Sequence, residues 1–154
     1  WMLVNDVGDS LRLRGAFESF SSGSWDALYA INLRHVFSYT RAALPFLRHS
    51  GQGGSIINIS TIEAYRGAPP AAVYAAFKAG ITGFTRSIAL ELGPEQIRVN
   101  IIAPETTETE QVPVSRMIAE EHRHHMDRWI PMARFGAPTD IAGAAVFLAS
   151  DLSS

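Results

Sequence analysis

Ser55-Ile56-Ile57-Asn58-Ile59-Ser60, followed at once by Thr61, is a continuous apolar run closed by hydroxyls. It is set between the turn-forming Gly51-Gln52-Gly53-Gly54 and a break from Gly67 to Pro70. A strand with one face in water alternates apolar and polar residues; a run without alternation is expected of a strand covered on both faces. Downstream, the Ala-rich stretch from Ala71 to Leu92 predicts a helix ended by Gly93-Pro94. Ile97-Arg98-Val99-Asn100-Ile101-Ile102-Ala103 then reads as another buried strand, stopped by Pro104. Upstream, Leu3-Val4 is a short strand followed by the turn-like Asn5 to Ser10. Residues 11 to 24 are polar and mixed, with a short helix expected around Ala16 to Phe20. Ser24 is the expected N-cap of a long helix whose stripe is Trp25, Leu28, Ile31, Asn32, His35, Val36, Tyr39 and Ala43. That helix is expected to reach about Leu47, with Pro45 kinking its last turns. Residues 105 to 114 read as a Thr-rich loop and residues 115 to 129 as a charged amphipathic helix. A last helix is expected over Ile141 to Leu148, opened by Pro138-Thr139-Asp140 with Thr139 as N-cap.

Strands and helices in alternation predict an α/β protein built on a parallel sheet. Ligands in such sheets sit beyond the carboxyl ends of the strands. Here those ends carry Asn5 to Gly8, Ser60-Thr61, and Pro104 to Thr109. Three loops of small and polar residues are therefore expected to meet at one edge.

The 154 residues fit one domain, with 47% apolar and 18% charged residues to build a core. A net charge of −2 gives no electrostatic reason to expect nucleic acid or an anionic membrane as partner. There is no cysteine, so disulfides and thiolate metal sites are excluded, which fits a cytoplasmic protein. No apolar stretch reaches the roughly 18 residues of a membrane-spanning helix. Trp1-Met2-Leu3-Val4-Asn5 reads as the end of a buried strand, and Asp151-Leu152-Ser153-Ser154 stops without a closing element. Both ends lead us to expect a piece of a longer chain.

The chemistry centres on Tyr74-Ala75-Ala76-Phe77-Lys78. On a helix, residues i and i+4 share a face one turn apart, so the Lys78 ammonium comes within reach of the Tyr74 phenol. A nearby positive charge favours phenolate and is expected to lower the Tyr pKa from about 10. A Tyr tuned in this way can exchange a proton with an alcohol or ketone oxygen. By spacing alone, a half-buried Tyr and a solvated Lys are the favoured explanation of the pair.

At this point the chain resembles the short-chain dehydrogenase/reductase family. Leu3-Val4-Asn5-Asp6-Val7-Gly8 is similar to that family's Asn-Asn-Ala-Gly segment. Ile31-Asn32-Leu33-Arg34-His35-Val36-Phe37 is similar to its Asn-Leu-x-x-x-Phe segment, and Asn58-Ile59-Ser60-Thr61 to the end of its fifth strand. Tyr74 and Lys78 fall on its Tyr-x-x-x-Lys motif, and Ile97 to Asn100 with Ala103-Pro104 on its sixth strand and following loop. Arg134-Phe135-Gly136-x-Pro138 and Phe147 to Asp151 match its late segments, in the same order.

The resemblance implies a doubly wound, Rossmann-like parallel sheet, of which residues 1–154 would be the C-terminal part, roughly the fourth to sixth strands. It implies NAD or NADP as cofactor and a small alcohol or carbonyl compound as substrate. Tyr74 would be the general acid/base. Lys78 would lower the Tyr pKa and bind the nicotinamide ribose, and Asn32 would hold a relay water. Thr61 would polarise the substrate oxygen. Asn5, Gly8, Pro104, Thr107 and Thr109 would contact the cofactor, together with Tyr74 and Lys78. A homo-oligomer would form through the helices carrying Asn32 and Tyr74, with Tyr39, Phe46 and Phe84 on the apolar surface.

Several positions depart from the family pattern. The family's Ser lies thirteen residues before the Tyr, which here is Thr61; Ser60, one residue earlier, points to the opposite strand face and is the second candidate. Glu105 stands where the family has Gly, so it either points away or opposes an anionic cofactor. Asp6 replaces an Asn. The Thr-Gly-x-x-x-Gly-x-Gly loop that cradles a dinucleotide pyrophosphate is not among these residues.

Other features have plainer readings. Glu121 and His125 have a chelating spacing, but a solvated charged face is preferred and no metal is expected. Met117, Met126, Trp129, Ile130 and Met132 suit either a substrate pocket or a core stripe. Tyr65-Arg66 is placed to reach substrate, or Arg66 is a salt-bridged surface residue. The expected activity is hydride transfer between NAD(P) and a secondary alcohol or ketone. The alternatives are a non-catalytic α/β association module, and a dehydratase or epimerase on the same scaffold.

Overall fold

The computed structural model describes residues 1–49, 51, 53–114 and 130–154. Three parallel strands, β1 (Met2–Asn5), β2 (Gly54–Ile59) and β3 (Ile97–Ile102), form one sheet in the order β1-β2-β3. Val4 pairs with Ile57 across β1 and β2, and Ile57 with Asn100 across β2 and β3. The unbroken apolar run in β2 is explained by its central place: Ser55 through Ile59 are all buried.

Helices cover both faces. Ile56 and Val99 pack with Leu47 of helix α2 (His35–His49) and Leu92 of helix α3 (Ala72–Leu92). The neighbouring Ser55 and Arg98 point the other way. Their side chains donate to the Leu148 carbonyl of helix α4 (Pro138–Ala149), at 3.0 and 2.7 Å. A period-two alternation between two helical layers is the doubly wound arrangement expected from the sequence. Among the described helices, none is long and apolar enough to cross a membrane.

The turn into β2 depends on glycine. Gly53 has φ +76°, and a Cβ on it would lie 2.1 Å from the Gln96 carbonyl oxygen. No L side chain fits there.

Three local expectations are corrected. The first helix, α1 (Ser22–Tyr29), is capped by Ser21 and not Ser24: the Ser21 hydroxyl accepts from the Ser24 amide at 3.2 Å. The expected single long helix is interrupted by a π-helical turn over Ala30–Arg34, whereas Pro45 stays inside α2. Helix α4 begins with Pro138 in its first turn, and its N-terminal residue Ala137 is capped from within the helix by Asp140. The Asp140 carboxylate accepts from the Ala137 amide at 2.8 Å, so Thr139 lies inside the helix. The helix expected over residues 115 to 129, with Glu121, His125, Met117, Met126 and Trp129, lies outside the described residues.

Candidate active site

The carboxyl ends of the three strands open on a cleft of about 450 Å³. Its wall includes Asp6 and Gly8 after β1, Ser60 and Thr61 after β2, Tyr74 and Lys78 of α3, and Pro104, Glu105, Thr107 and Thr109 after β3. The loop after β3 is held by a bridge between Thr107 and Gly136.

Tyr74 and Lys78 occupy the first turns of α3, one turn apart, with the Lys78 Nζ 6.0 Å from the Tyr74 ring centroid. Lys78 is only 3% exposed, and its Nζ donates to the Ile59 carbonyl at 3.2 Å. An ammonium has three donors, so the bond to Ile59 does not exhaust its hydrogen-bonding capacity. Burial pulls the Lys78 pKa down to about 8, against the opposing pull of the Asp6 carboxylate.

Tyr74 shifts opposite to expectation. Burial of the phenol raises its pKa to about 12, and the Glu63 and Asp9 carboxylates add to the rise, with Arg14 opposing. The i+4 spacing brought the ammonium near, but not near enough to outweigh desolvation and two acids. Tyr74 is therefore a phenol at neutral pH.

The two strand-end hydroxyls separate. Ser60 is buried and donates to the Lys78 backbone carbonyl at 3.0 Å, supporting α3. Thr61 is half-buried; its hydroxyl accepts weakly from the Glu63 amide, at 3.4 Å.

Asn32 is completely buried in the π-helical turn. Its amide nitrogen donates to the Asp9 and Leu28 carbonyls at 2.7 and 2.9 Å, and its oxygen accepts from the Asp9 amide at 3.1 Å. Asn32 therefore clamps the loop after β1 directly, and its side chain is not on the cleft wall. Single-turn π-bulges inside α-helices are frequent at functional sites. The clamped loop brings Gly8 against the lysine: a Cβ on Gly8 would lie 2.5 Å from Lys78 Nζ and 3.1 Å from Asn32 Oδ1.

Asn5 is placed differently from the cofactor contact the resemblance implied. It is 3% exposed, and its amide nitrogen donates to Asn58 Oδ1 at 2.8 Å and to Thr40 at 3.3 Å. Asn58 in turn donates to the Thr85 hydroxyl at 2.9 Å. The Asn5 side chain thus belongs to the floor under the site.

Two pairings escaped sequence reasoning, although a surface salt bridge was one of the two readings of Arg66 and only its partner was missed. Asp9, besides its clamp on Asn32, accepts from the Gln111 side chain and so ties the loop after β1 to the loop after β3. Arg66 forms a two-pronged ion pair with Glu105 at 2.9 and 3.0 Å. No motif announces either pairing; an unexpected acid and an arginine with a salt bridge among its readings, near the same strand ends, were the signals for the second. Among the described residues no cluster of three or more metal-ligating side chains occurs.

The family model described as enoyl-(acyl carrier protein) reductase matches residues 2–154. The chain belongs to the short-chain dehydrogenase/reductase family. It is 38% identical over 156 residues to the 3-oxoacyl-[acyl-carrier-protein] reductase FabG of Thermotoga maritima, covering 99% of this chain and 60% of that protein. The chain spans about 60% of the length of the curated relatives it matches. Among solved relatives, a 3-oxoacyl-[acyl-carrier protein] reductase from Brucella melitensis with bound NAD superposes with a TM-score of 0.83 at 31% identity, covering 99% of this chain and 56% of that one. ElxO with NADP bound has a TM-score of 0.83 at 25% identity, covering 97% and 60%. Members of this short-chain dehydrogenase/reductase family have therefore been solved with either nicotinamide dinucleotide.

Proposed function

We propose that this chain carries the proton-transfer part of a cytoplasmic NAD(P)-dependent oxidoreductase acting on a secondary alcohol or its ketone. The observation that carries the reading is the meeting of Thr61, Tyr74 and Lys78 on one cleft wall. The residues present suit a nicotinamide dinucleotide. Gly8 lets the loop after β1 lie close against Lys78, and the Lys78 ammonium with the Thr107 and Thr109 hydroxyls supplies donors for ribose and phosphate oxygens. When bound, that cofactor would supply or accept the hydride.

The chain's own residues do the rest. Thr61 donates a hydrogen bond to the substrate oxygen and fixes it near the Tyr74 phenol. Tyr74 gives its proton to that oxygen as a carbonyl is reduced, and its raised pKa keeps the proton in place until then. In the oxidation direction the phenol must first lose its proton, and Lys78 is the adjacent cation that stabilises the phenolate. Asn5, Gly8, Pro104, Thr107 and Thr109 are read as the cofactor side, with Asn5 acting through the floor beneath it. The 154 residues are read as one partial domain.

Turnover of a panel of secondary alcohols and ketones with NADH, NADPH and their oxidised forms tests the reading. Tyr74→Phe should lower kcat by about 10²-fold or more, the usual worth of a positioned acid or base, with dinucleotide binding intact. Retained turnover in that variant would remove Tyr74 from its role.

A homo-oligomer through α2 and α3 is the accompanying assembly. Phe37 and Phe84 pack together across these helices at 4.8 Å, while Tyr39 and Phe46 are 57% and 65% exposed. Light scattering should give a multimer, and Phe46→Glu should reduce its size; a wild-type monomer at micromolar concentration refutes the assembly.

A further inference from the structure

Two carboxylates, Asp6 and Glu105, line the cleft among the described residues. A nicotinamide dinucleotide carries negative phosphates, so each carboxylate opposes its entry. Asp6 acts electrostatically on the Lys78 ammonium. Glu105 has a different counter-charge: both of its oxygens accept from Arg66, at 2.9 and 3.0 Å, in the fork geometry that arginine alone among side chains provides. The Thr106 amide and hydroxyl also donate to Glu105 Oε1, at 3.0 and 3.2 Å, which holds the carboxylate in one orientation. The segment carrying Arg66 is fixed to the same wall, because the Ile62 amide donates to the Pro104 carbonyl at 3.0 Å.

We propose that Arg66 determines how well this cleft accepts an anionic dinucleotide, by cancelling the Glu105 carboxylate on the cleft wall. The inference rests on the oxidoreductase reading above. Arg66 is a positioning and charge-compensating residue and touches no reacting atom. Without it, the loop after β3 presents a bare negative charge to the phosphates.

The charge logic makes the two partners respond with opposite sign. In the full chain, fluorescence titration with NADH and NADPH at low salt should show Arg66→Met binding roughly three- to tenfold more weakly, the order of effect expected of one uncompensated charge in a solvent-rich cleft. Glu105→Gln should bind as well as wild type or more tightly. The double variant should return to within about twofold of wild type, and Arg66→Lys, which keeps the charge and loses the fork, should stay close to it. Raising the salt to about 0.5 M should largely erase the Arg66→Met loss. Both residues are solvent-exposed at the cleft rim, at 53% and 39%, so the variants are expected to fold, and thermal melts check this. Equal weakening by Arg66→Met and Glu105→Gln would make the pair a mere tie between two loops and overturn the proposal. Wild-type affinity in Arg66→Met would overturn it as well, while leaving the oxidoreductase reading standing. Failure of wild type to bind either dinucleotide would overturn that reading itself, and the proposal with it.

Discussion

Ser60 and Thr61 both border the cleft beside Tyr74, but the Ser60 hydroxyl is already donated to the Lys78 carbonyl at 3.0 Å. The alternation of side chains along an extended strand end turns the two hydroxyls in different directions, and in the proposed reaction Thr61 is the one that serves. Thr61→Ala should therefore cut kcat by about 10²-fold with little change in fold stability, as loss of one donor to a developing oxyanion does. Ser60→Ala should cost about 1 kcal/mol of stability, the net worth of one hydrogen bond, and leave kcat near wild type. Steady-state kinetics and urea melts on both variants check this, and the reverse pattern would exchange the two roles. The Tyr74 pKa is the residue-level quantity that sequence could not supply. Spacing shows which side chains share a helix face; it does not show how deeply a phenol is buried or that Glu63 and Asp9 act on it.

At the scale of elements, the order and type of the strands and helices were legible because period-two and helical patterns survive in the sequence as patterns. β2 was legible from its lack of alternation, and α3 from its Ala-rich run and the Gly93-Pro94 end. Caps were less so. Ser21, Ser22 and Ser24 are all competent N-caps, and only the observed bond from the Ser24 amide to the Ser21 oxygen chooses among them. The π-helical turn at Ala30–Arg34 has no sequence signal of its own. It follows from a tertiary demand: Asn32 makes three hydrogen bonds to the backbone of Asp9 and Leu28. Pro45, the residue that looked disruptive, sits inside α2 without ending it. The Arg66–Glu105 pair was hidden for a related reason, since its members are 39 residues apart and meet only through the sheet.

For the whole molecule, burying Lys78 ties stability to pH. Its folded pKa of about 8 lies below the unfolded value of 10.5. Below pH 8 both states hold the proton, and the full cost of burying the ammonium is present. Between about 8 and 10.5 the unfolded chain binds more protons than the folded one, so stability rises with pH. The full gain is about 3 kcal/mol, at 1.36 kcal/mol per unit of pKa difference. Above pH 10 the raised Tyr74 pKa works the other way, so the comparison belongs below that. Urea melts at pH 7.5 and 9.5 should show wild type gaining about 2 kcal/mol more than Lys78→Met. Identical pH slopes for the two proteins would refute the burial argument.

The Asn5–Asn58 contact has a consequence beyond the floor of the site. These two residues are direct partners in the β1–β2 pairing as well as hydrogen-bonded through their side chains. A sheet of isoleucines and valines can slide by two residues and still bury oil against oil. The paired amides cannot: a slip would break the bond between them and leave buried Asn58 Oδ1 without its donor, at a cost of roughly 1–3 kcal/mol per unpaired polar group. The pair therefore works as an alignment pin. It indexes β1 against β2, and because Gly8 and Thr61 each follow a few residues after a member of the pair, it also sets the distance across the mouth of the cleft.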